Sequence, residues 1–448
     1  MPSDSEITRR DFLKTAARTT GATALSGVTF LTRPERVFGA NDRVRVAICG
    51  LRGRGKDHMD GFSRVPDVEI AALCDIDQEV LEKRRGDVAA GTRTFTDVRR
   101  LLEDRSIDAI SIATPNHWHA LMAIWACQAG KDVYVEKPCS HNLWEGRQLV
   151  RAAEKYQRIV QHGTQSRSSR AMIDAVHHLQ GGTFGDIYLA RALCFKRRDT
   201  IGRKPPEPVP AGVDYDLWTG PAPMKPFTRN RFHYNWHWIW DTGNGDLGNQ
   251  AIHQVDDARW GLGVSFPNRV SAFGGHFMFD DDQETPNTLS CVFEFDQPDG
   301  RRKMMEVEVR HWITNNEAGI RAGEHNSIGT IFYGSNGYLA AGNEDDFSYE
   351  SWVGRDQAPG PRGHSEDDHF ANFIRCVRSR KTEDLAAPIR EGHISCALVH
   401  LANASYRLGR MLRVDPATEQ VIGDEEATRL LSGRDRGYRA PFVIPDEV

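Results

Sequence analysis

Two hydrophobic periods divide the chain. Four short, β-branched apolar runs read as buried parallel strands: VRVAICG (44–50), VEIAALCDID (68–77), AISIATP (109–115) and DVYVEKP (132–138). NHWHALMAIWACQAG follows the third run and reads as an amphipathic helix. Strand–helix alternation of this kind predicts a doubly wound α/β domain. Later runs change character. GDIYLARALCF (185–195), NRVSAFGGHFMF, TLSCVFEF, KMMEVEVRHWI and IGTIFYGSNGYLAA read as antiparallel strands of an open sheet. Residues 249–262 read as a helix, and 364–381 and 389–410 as two amphipathic helices. The tail RAPFVIPDEV reads as an extended strap. The long segment 196–240, rich in Pro, Arg and Trp, reads as a lid, a binding segment or an arm bracing a neighbouring subunit.

Composition narrows the class. At 448 residues two domains are expected. The chain is 39% hydrophobic and 27% charged, and its net charge of −5 offers no basic field for nucleic acid. No eighteen-residue apolar run free of charge appears, so no membrane span is expected in the mature form. The eight cysteines are scattered, and none forms Cys-x-x-Cys. They read as small buried apolar residues, not as a disulfide framework or a zinc ribbon. His233 and His237 lack a carboxylate or Cys ligand at a metal-binding spacing, so no metal is expected. TRRDFLK (8–14) and the weakly apolar stretch after it resemble a twin-arginine export signal. That resemblance implies the export machinery as a partner, a periplasmic location and cleavage near Ala40. The stretch contains Arg18 and no clean A-x-A site. The alternative is the start of a basic amphipathic helix.

Candidate chemistry begins where the first strand ends. Gly50, Gly53 and Gly55 are not a strict G-x-G-x-x-G, yet they place three glycines in the turn where a pyrophosphate meets a helix N-terminus. Asp75 closes the second strand, 20 residues past Gly55, where a ribose-binding carboxylate is expected. A carboxylate there repels a 2′-phosphate and favours NAD. Arg52 and Arg54 could meet such a phosphate, which keeps NADP as the alternative.

With ATPNHWHA, GKDVYVEKP and the glycine-rich opening in place, the chain resembles the glucose–fructose oxidoreductase / inositol dehydrogenase (Gfo/Idh/MocA) family over residues 42–412. The resemblance implies a Rossmann domain (41–165) after the signal (1–40). It further implies a substrate and oligomerisation domain (166–365), with closing helices and a tail (366–448) packed back on the first. It places Glu136, Lys137 and Pro138 at a strand end facing the nicotinamide. Thr114, Pro115, Asn116, His117, Trp118 and Gln165 join the cofactor contacts, although His117 and His119 also read as ordinary helix N-terminal polarity. The family's Asp-x-x-x-His appears as Asn249 and His253. His253 is the expected acid/base. Asn249 departs from the pattern, and a neutral amide cannot raise a histidine pKa as a carboxylate would; Asp246 or Asp256 is the expected substitute. Tyr234, Trp236, Trp238 and Trp240 alternate as on an extended segment, and either stack on a sugar ring or fill a core. Tyr234, Trp236, His237, Trp238, Asp246, Asn249, His253 and Asp256 are the expected substrate contacts. A homo-oligomer, dimer or tetramer, built on the sheet is implied.

The expected reaction is hydride transfer between NAD and a sugar or polyol. His253 takes the hydroxyl proton, and Lys137 stabilises the oxygen charge. An exported enzyme meets no soluble NAD pool, so its cofactor is expected to be tightly held and recycled. The main alternative is a redox-neutral NAD-dependent glycosidase or lyase acting through a transient keto-sugar. A non-catalytic NAD-binding regulator is the third reading.

Overall fold

The computed structural model describes residues 42–320, 326–343, 346–365 and 368–448, together with a short antiparallel pairing of Ala24–Leu25 with Val28–Thr29. The export-signal motif and its cleavage point lie outside the described residues.

The first sheet comprises β1 (Val44–Cys49), β2 (Val68–Cys74), β3 (Arg93–Phe95), β4 (Ala109–Ile112), β5 (Asp132–Val135) and β6 (Val160–His162). Their spatial order is β3-β2-β1-β4-β5-β6, and every pairing is parallel. The order reverses beside β1, the crevice in which such sheets take ligands. Period-two alternation gives β1 two buried faces. Val44, Val46 and Ile48 join one core cluster, and Ala47 and Cys49 the other. The first cluster is closed by Met59 and Phe62 of α1 (Gly53–Arg64) and by Phe373 and Val377 of α2 (His369–Ser379), a helix from near the chain's end.

The other face carries α3 (Asn116–Gln128) and α4 (Leu143–Lys155). The sequence predicts an amphipathic α3, but all thirteen of its residues are buried. The C-terminal tail supplies the missing cover. Phe442 packs edge-on against Trp118 at 5.4 Å and tilts over Trp125 at 6.5 Å. Gln148 of α4 donates to the carbonyls of Pro445 and Asp446.

The second sheet has eleven strands. Its central strand β7 (Ile187–Lys196) runs parallel to β10 (Arg302–Arg310) and antiparallel to β11 (Asn326–Gly334). The remaining pairings are antiparallel: β8 (Arg269–Gly275) with β9 (Thr288–Asp296), β9 with β10, and β11 onward to β12 (Gly337–Asn343) and β13 (Asp346–Val353). It is open, as expected. The helix α5 (Ile389–Leu408) is buried from Gly392 to Ser405, between the two sheets' helices. It too reads as amphipathic in sequence and is enclosed by tertiary packing. No described helix is long and apolar enough to cross a membrane.

Candidate active site

A cavity of ≈330 Å³ runs along the C-terminal edge of the parallel sheet, from the glycine turn to Lys137. The three glycines divide the work of the turn. Gly50 has φ +81°, and a Cβ there would stand 2.6 Å from the Ala113 carbonyl oxygen. Gly55 lets α1 press on the turn, since its Cβ would meet the Gly50 carbonyl at 1.8 Å. Gly53 begins α1 with nothing within 4 Å of a would-be Cβ, and the helix carries no side-chain cap. Its first residues, Gly53 and Arg54, line the cavity with no described side chain capping the helix start, the arrangement a pyrophosphate needs.

Asp75 stands at the end of β2 in the cavity wall. Leu51 N–H donates to its Oδ2 at 2.8 Å and Asp77 N–H to its Oδ1 at 3.1 Å. Burial outweighs these donors and pushes the carboxyl up to about 6. Both neighbouring arginines are already engaged. Arg52 donates to Asp77 at 2.6 Å, and Arg54 to Glu136 at 2.7 Å. Gln165, with its amide oxygen turned to Arg54, donates to the Gly163 carbonyl at 2.9 Å. Thr114, Pro115, Asn116 and Trp118 line the same wall, as predicted from the β4 end. His117 does not. Its Nε2 lies 3.1 Å from the Trp218 carbonyl oxygen, and burial takes its pKa down to about 3. His119 takes the cavity-facing place instead, bridging the Pro138 and Thr114 carbonyls at 2.7 Å each.

The strand β5 ends in Glu136, Lys137 and Pro138, with a cis Lys137–Pro138 peptide. Burial opposes ionisation of Glu136, yet Arg54 and His58 hold its carboxyl well below the usual range. Its carboxylate braces the turn and the strand end. Burial lowers Lys137 to about 8 against the pull of Glu136, and its ammonium donates to the Asn249 carbonyl.

That carbonyl is free because a helix breaks. The sequence predicts one helix over 249–262. Instead, a short helix, Gly245–Asn249, ends at Gln250 (φ −108°, ψ −51°), and α6 (Ala251–Leu262) starts anew. Helix-terminal carbonyls lack intrahelical donors and carry the negative end of the dipole. Here they receive Lys137. Asn249 lines the cavity, and its amide donates to Asp246 at 3.1 Å and to the Tyr234 hydroxyl at 3.4 Å. His253 stands half-buried in the first turn of α6, outside the residues that line the cavity. Burial and the Lys137 charge take its pKa down to about 3, so it is neutral at physiological pH. Its ring makes no hydrogen bond among the described residues.

Neither expected substitute carboxylate is available. Arg198 clamps Asp246 at 2.7 and 2.8 Å, with His311 at 2.9 Å, and holds it well below the usual range despite burial. Asp256 does not line the cavity. Arg167 grips it at 2.7 and 2.9 Å and Ser395 at 2.6 Å, which hold it at about 2 against burial.

The aromatic block is not extended. Asn235–Trp238 forms a 3₁₀ turn, with φ of +35° at His233 and +20° at Tyr234. A turn spreads its side chains around an axis instead of alternating them, so the block splits. Tyr234, Trp236 and His237 line the cavity, as does His233. Trp238 is buried under Arg198, 4.8 Å from its guanidinium, and Trp240 packs with Arg407. Leu217 and Trp218 were not anticipated as site residues. They come from DYDLWTGPAP, which joins the sheet edge where Asp214 N–H donates to the Ile76 carbonyl at 3.0 Å. The 196–240 segment thus lies across the cleft of its own chain.

A family model described as an oxidoreductase family with an NAD-binding Rossmann fold matches residues 44–164. The model of that family's C-terminal α/β domain matches 198–272 and 355–443, and the two together take in more than half of the chain. A glycosyl hydrolase family 109 protein of Shewanella baltica is 31% identical over 203 residues, 40% of this chain and 44% of its own length. The match therefore spans less than half of these curated relatives. The WlbA dehydrogenase of Bordetella pertussis, solved with NADH and UDP-GlcNAcA, superposes with a TM-score of 0.62 at 21% identity, covering 83% of this chain and 99% of that one. The aldose-aldose oxidoreductase of Caulobacter crescentus, solved with glycerol, gives 0.63 at 17%, covering 83% and 100%. At these identities the likeness concerns the fold. The family models carry the assignment: the chain belongs to the Gfo/Idh/MocA oxidoreductase family, with its NAD-binding Rossmann domain.

Proposed function

We propose that this protein transfers hydride between a tightly held NAD and a hydroxyl or ketone of a sugar or polyol. One observation carries the reading. The Lys137 ammonium and Asn249 meet at one end of the dinucleotide cleft, beside Tyr234, Trp236 and His237, and the neutral His253 ring lies close enough to Lys137 to feel its charge. Bound NAD supplies the hydride acceptor. The residues supply the rest. Tyr234 and Trp236 offer aromatic faces to a sugar ring. His253, neutral and without a hydrogen-bond partner among the described residues, accepts the hydroxyl proton. Lys137 stabilises the charge that develops on that oxygen.

NAD over NADP follows from three groups. Asp75 repels a 2′-phosphate, while Arg52 and Arg54, the cations that would welcome one, are paired with Asp77 and Glu136. Tight retention follows from Leu217 and Trp218 lying over the cleft. It also fits export in a folded, loaded state, for which the twin-arginine resemblance is the support. Mass spectrometry of nucleotide released from the denatured protein is expected to give one NAD per chain. No bound nucleotide, with no affinity for NAD or NADP, overturns the reading.

A redox-neutral glycosidase is the second reading, favoured by the printed name of the curated relatives. It uses the same groups to form a keto-sugar, lose the glycosidic substituent and reduce again. Release of free sugar from a glycoside without added NAD selects it. Turnover only with a second, reducible sugar selects the first.

A further inference from the structure

We propose that Cys139, His162 and Cys396 form a buried metal site that takes one zinc(II) ion and braces the segment bearing Lys137. The three come from separate elements. Cys139 follows the Lys137–Pro138 peptide, His162 ends β6, and Cys396 lies on α5. All three are fully buried. The two Sγ atoms are 3.7 Å apart, Cys396 Sγ is 3.8 Å from His162 Nε2, and the three ligand atoms all lie within 4.8 Å of one another. Zinc bonds of ~2.3 Å to sulfur and ~2.0 Å to nitrogen at tetrahedral angles put ligand atoms about 3.6–3.8 Å apart. Two sides of the triangle already have that length, and the third lies within 4.8 Å.

The imidazole is held as a ligand would be. Its Nδ1 lies 3.3 Å from Thr164 Oγ1, which leaves Nε2 for the sulfurs. A Cβ on Gly392 would stand 2.5 Å from the ring's Cγ, so the α5 backbone presses against it. His162 N–H donates to the Ala387 carbonyl at 2.9 Å, and its own carbonyl accepts from His369 Nε2 at 2.8 Å. Ring orientation fixed by outer partners is what metal sites require. Charge selects the ion. Two thiolates neutralise zinc(II), whereas copper(I) would leave a net negative charge in a dry interior, which is costly. Three protein ligands leave the fourth position to water. A Cys139–Cys396 disulfide would need the sulfurs to close to about 2.05 Å and a thiol oxidant, and it leaves the imidazole no part. In the sequence the three positions are far apart, so no spacing motif announces the site.

The test uses the full chain purified under reducing conditions, with zinc(II) as the probe. Titration against a chromophoric chelator is expected to show one saturable site per chain. Cobalt(II) in its place is expected to show an intense near-ultraviolet thiolate-to-cobalt band in the wild-type protein. Cys139→Ser and Cys396→Ser should each weaken zinc binding at least tenfold, while Cys291→Ser, in the other sheet, leaves it unchanged. The cobalt band needs no variant, so misfolding of the serine variants does not remove the test. Free thiols with no saturable zinc and no cobalt band overturn the proposal, leaving two packed thiols. So does a cross-linked Cys139–Cys396 peptide two hydrogens lighter. None of these readouts depends on bound nucleotide or on turnover.

Discussion

Lys137 and Asp75 have separable roles, and single substitutions should show it. Lys137→Ala removes the charge beside the reacting oxygen but no part of the glycine turn. Its kcat is expected to fall about 10²–10³-fold, as when one preorganised donor is lost, with NAD affinity within a few-fold by fluorescence titration. Loss of NAD binding in a folded variant would refute the assigned role. As the proposed ribose-binding carboxylate, Asp75 should carry the pH dependence of cofactor binding. Its folded-state pKa is raised to about 6, so the carboxylate that accepts from ribose forms only above that pH. NAD affinity should rise as pH passes upward through 6, and Asp75→Asn should flatten that rise. The same shift has the opposite sign for stability, because a raised carboxyl pKa favours the protonated folded state and its contribution wanes between about pH 4 and 6. Both residues were legible from their places at strand ends. The state of His253 was not. Its position came from the resemblance, but its neutrality comes from burial and from Lys137, which sits over a hundred positions away.

At the scale of elements, the glycine turn offers the sharpest contrast. Gly53→Ala meets open space and an ordinary backbone, so the fold should melt at an unchanged temperature. Its methyl would occupy the face a pyrophosphate approaches, and NAD affinity should fall. Gly55→Ala drives a Cβ onto the Gly50 carbonyl, and both melting temperature and cofactor binding should drop. Equal effects of the two would contradict the division of roles. Two local elements escaped the sequence. The break at Gln250 lies inside a run whose apolar period is helical on both sides, and what fills it is Lys137 from another strand. The 3₁₀ turn at Asn235–Trp238 has an alternating pattern that mimics a strand. Arg198 and His311, which enclose Trp238, are distant in sequence.

At the scale of the molecule, long segments close what the two sheets leave open. Trp218 covers the cleft and anchors an aromatic cluster with Phe227 and Phe232. Trp218→Ala is expected to cost about 3–5 kcal/mol of stability and to speed NAD release at least tenfold in a displacement assay. Unchanged release would remove the lid from the account of retention. Arg167, Asp256, Ser395 and Arg259 knit the helices between the sheets. Arg167→Leu strips the buried Asp256 carboxylate of its two-point partner, leaving Ser395 and the more distant Arg259, and should cost about 3 kcal/mol in denaturant unfolding. Because Asp256 is held at about 2, its contribution persists above the unfolded value near 4 and is lost as pH falls toward 2.

The sequence by itself determined the parallel sheet, the open second sheet, the glycine turn, Asp75 and the Glu136–Lys137–Pro138 strand end. These follow from local period, turn chemistry and strand-end position, which neighbouring residues specify together. Tertiary structure decided which helices are enclosed, where the helix before His253 breaks and which aromatic rings face the cleft. It also decided which carboxylates are already taken, as Asp246 and Asp256 are. Each of those outcomes depends on a partner brought close only by folding: Phe442 on α3, Lys137 on the Asn249 carbonyl, Arg198 on Asp246 and Arg167 on Asp256.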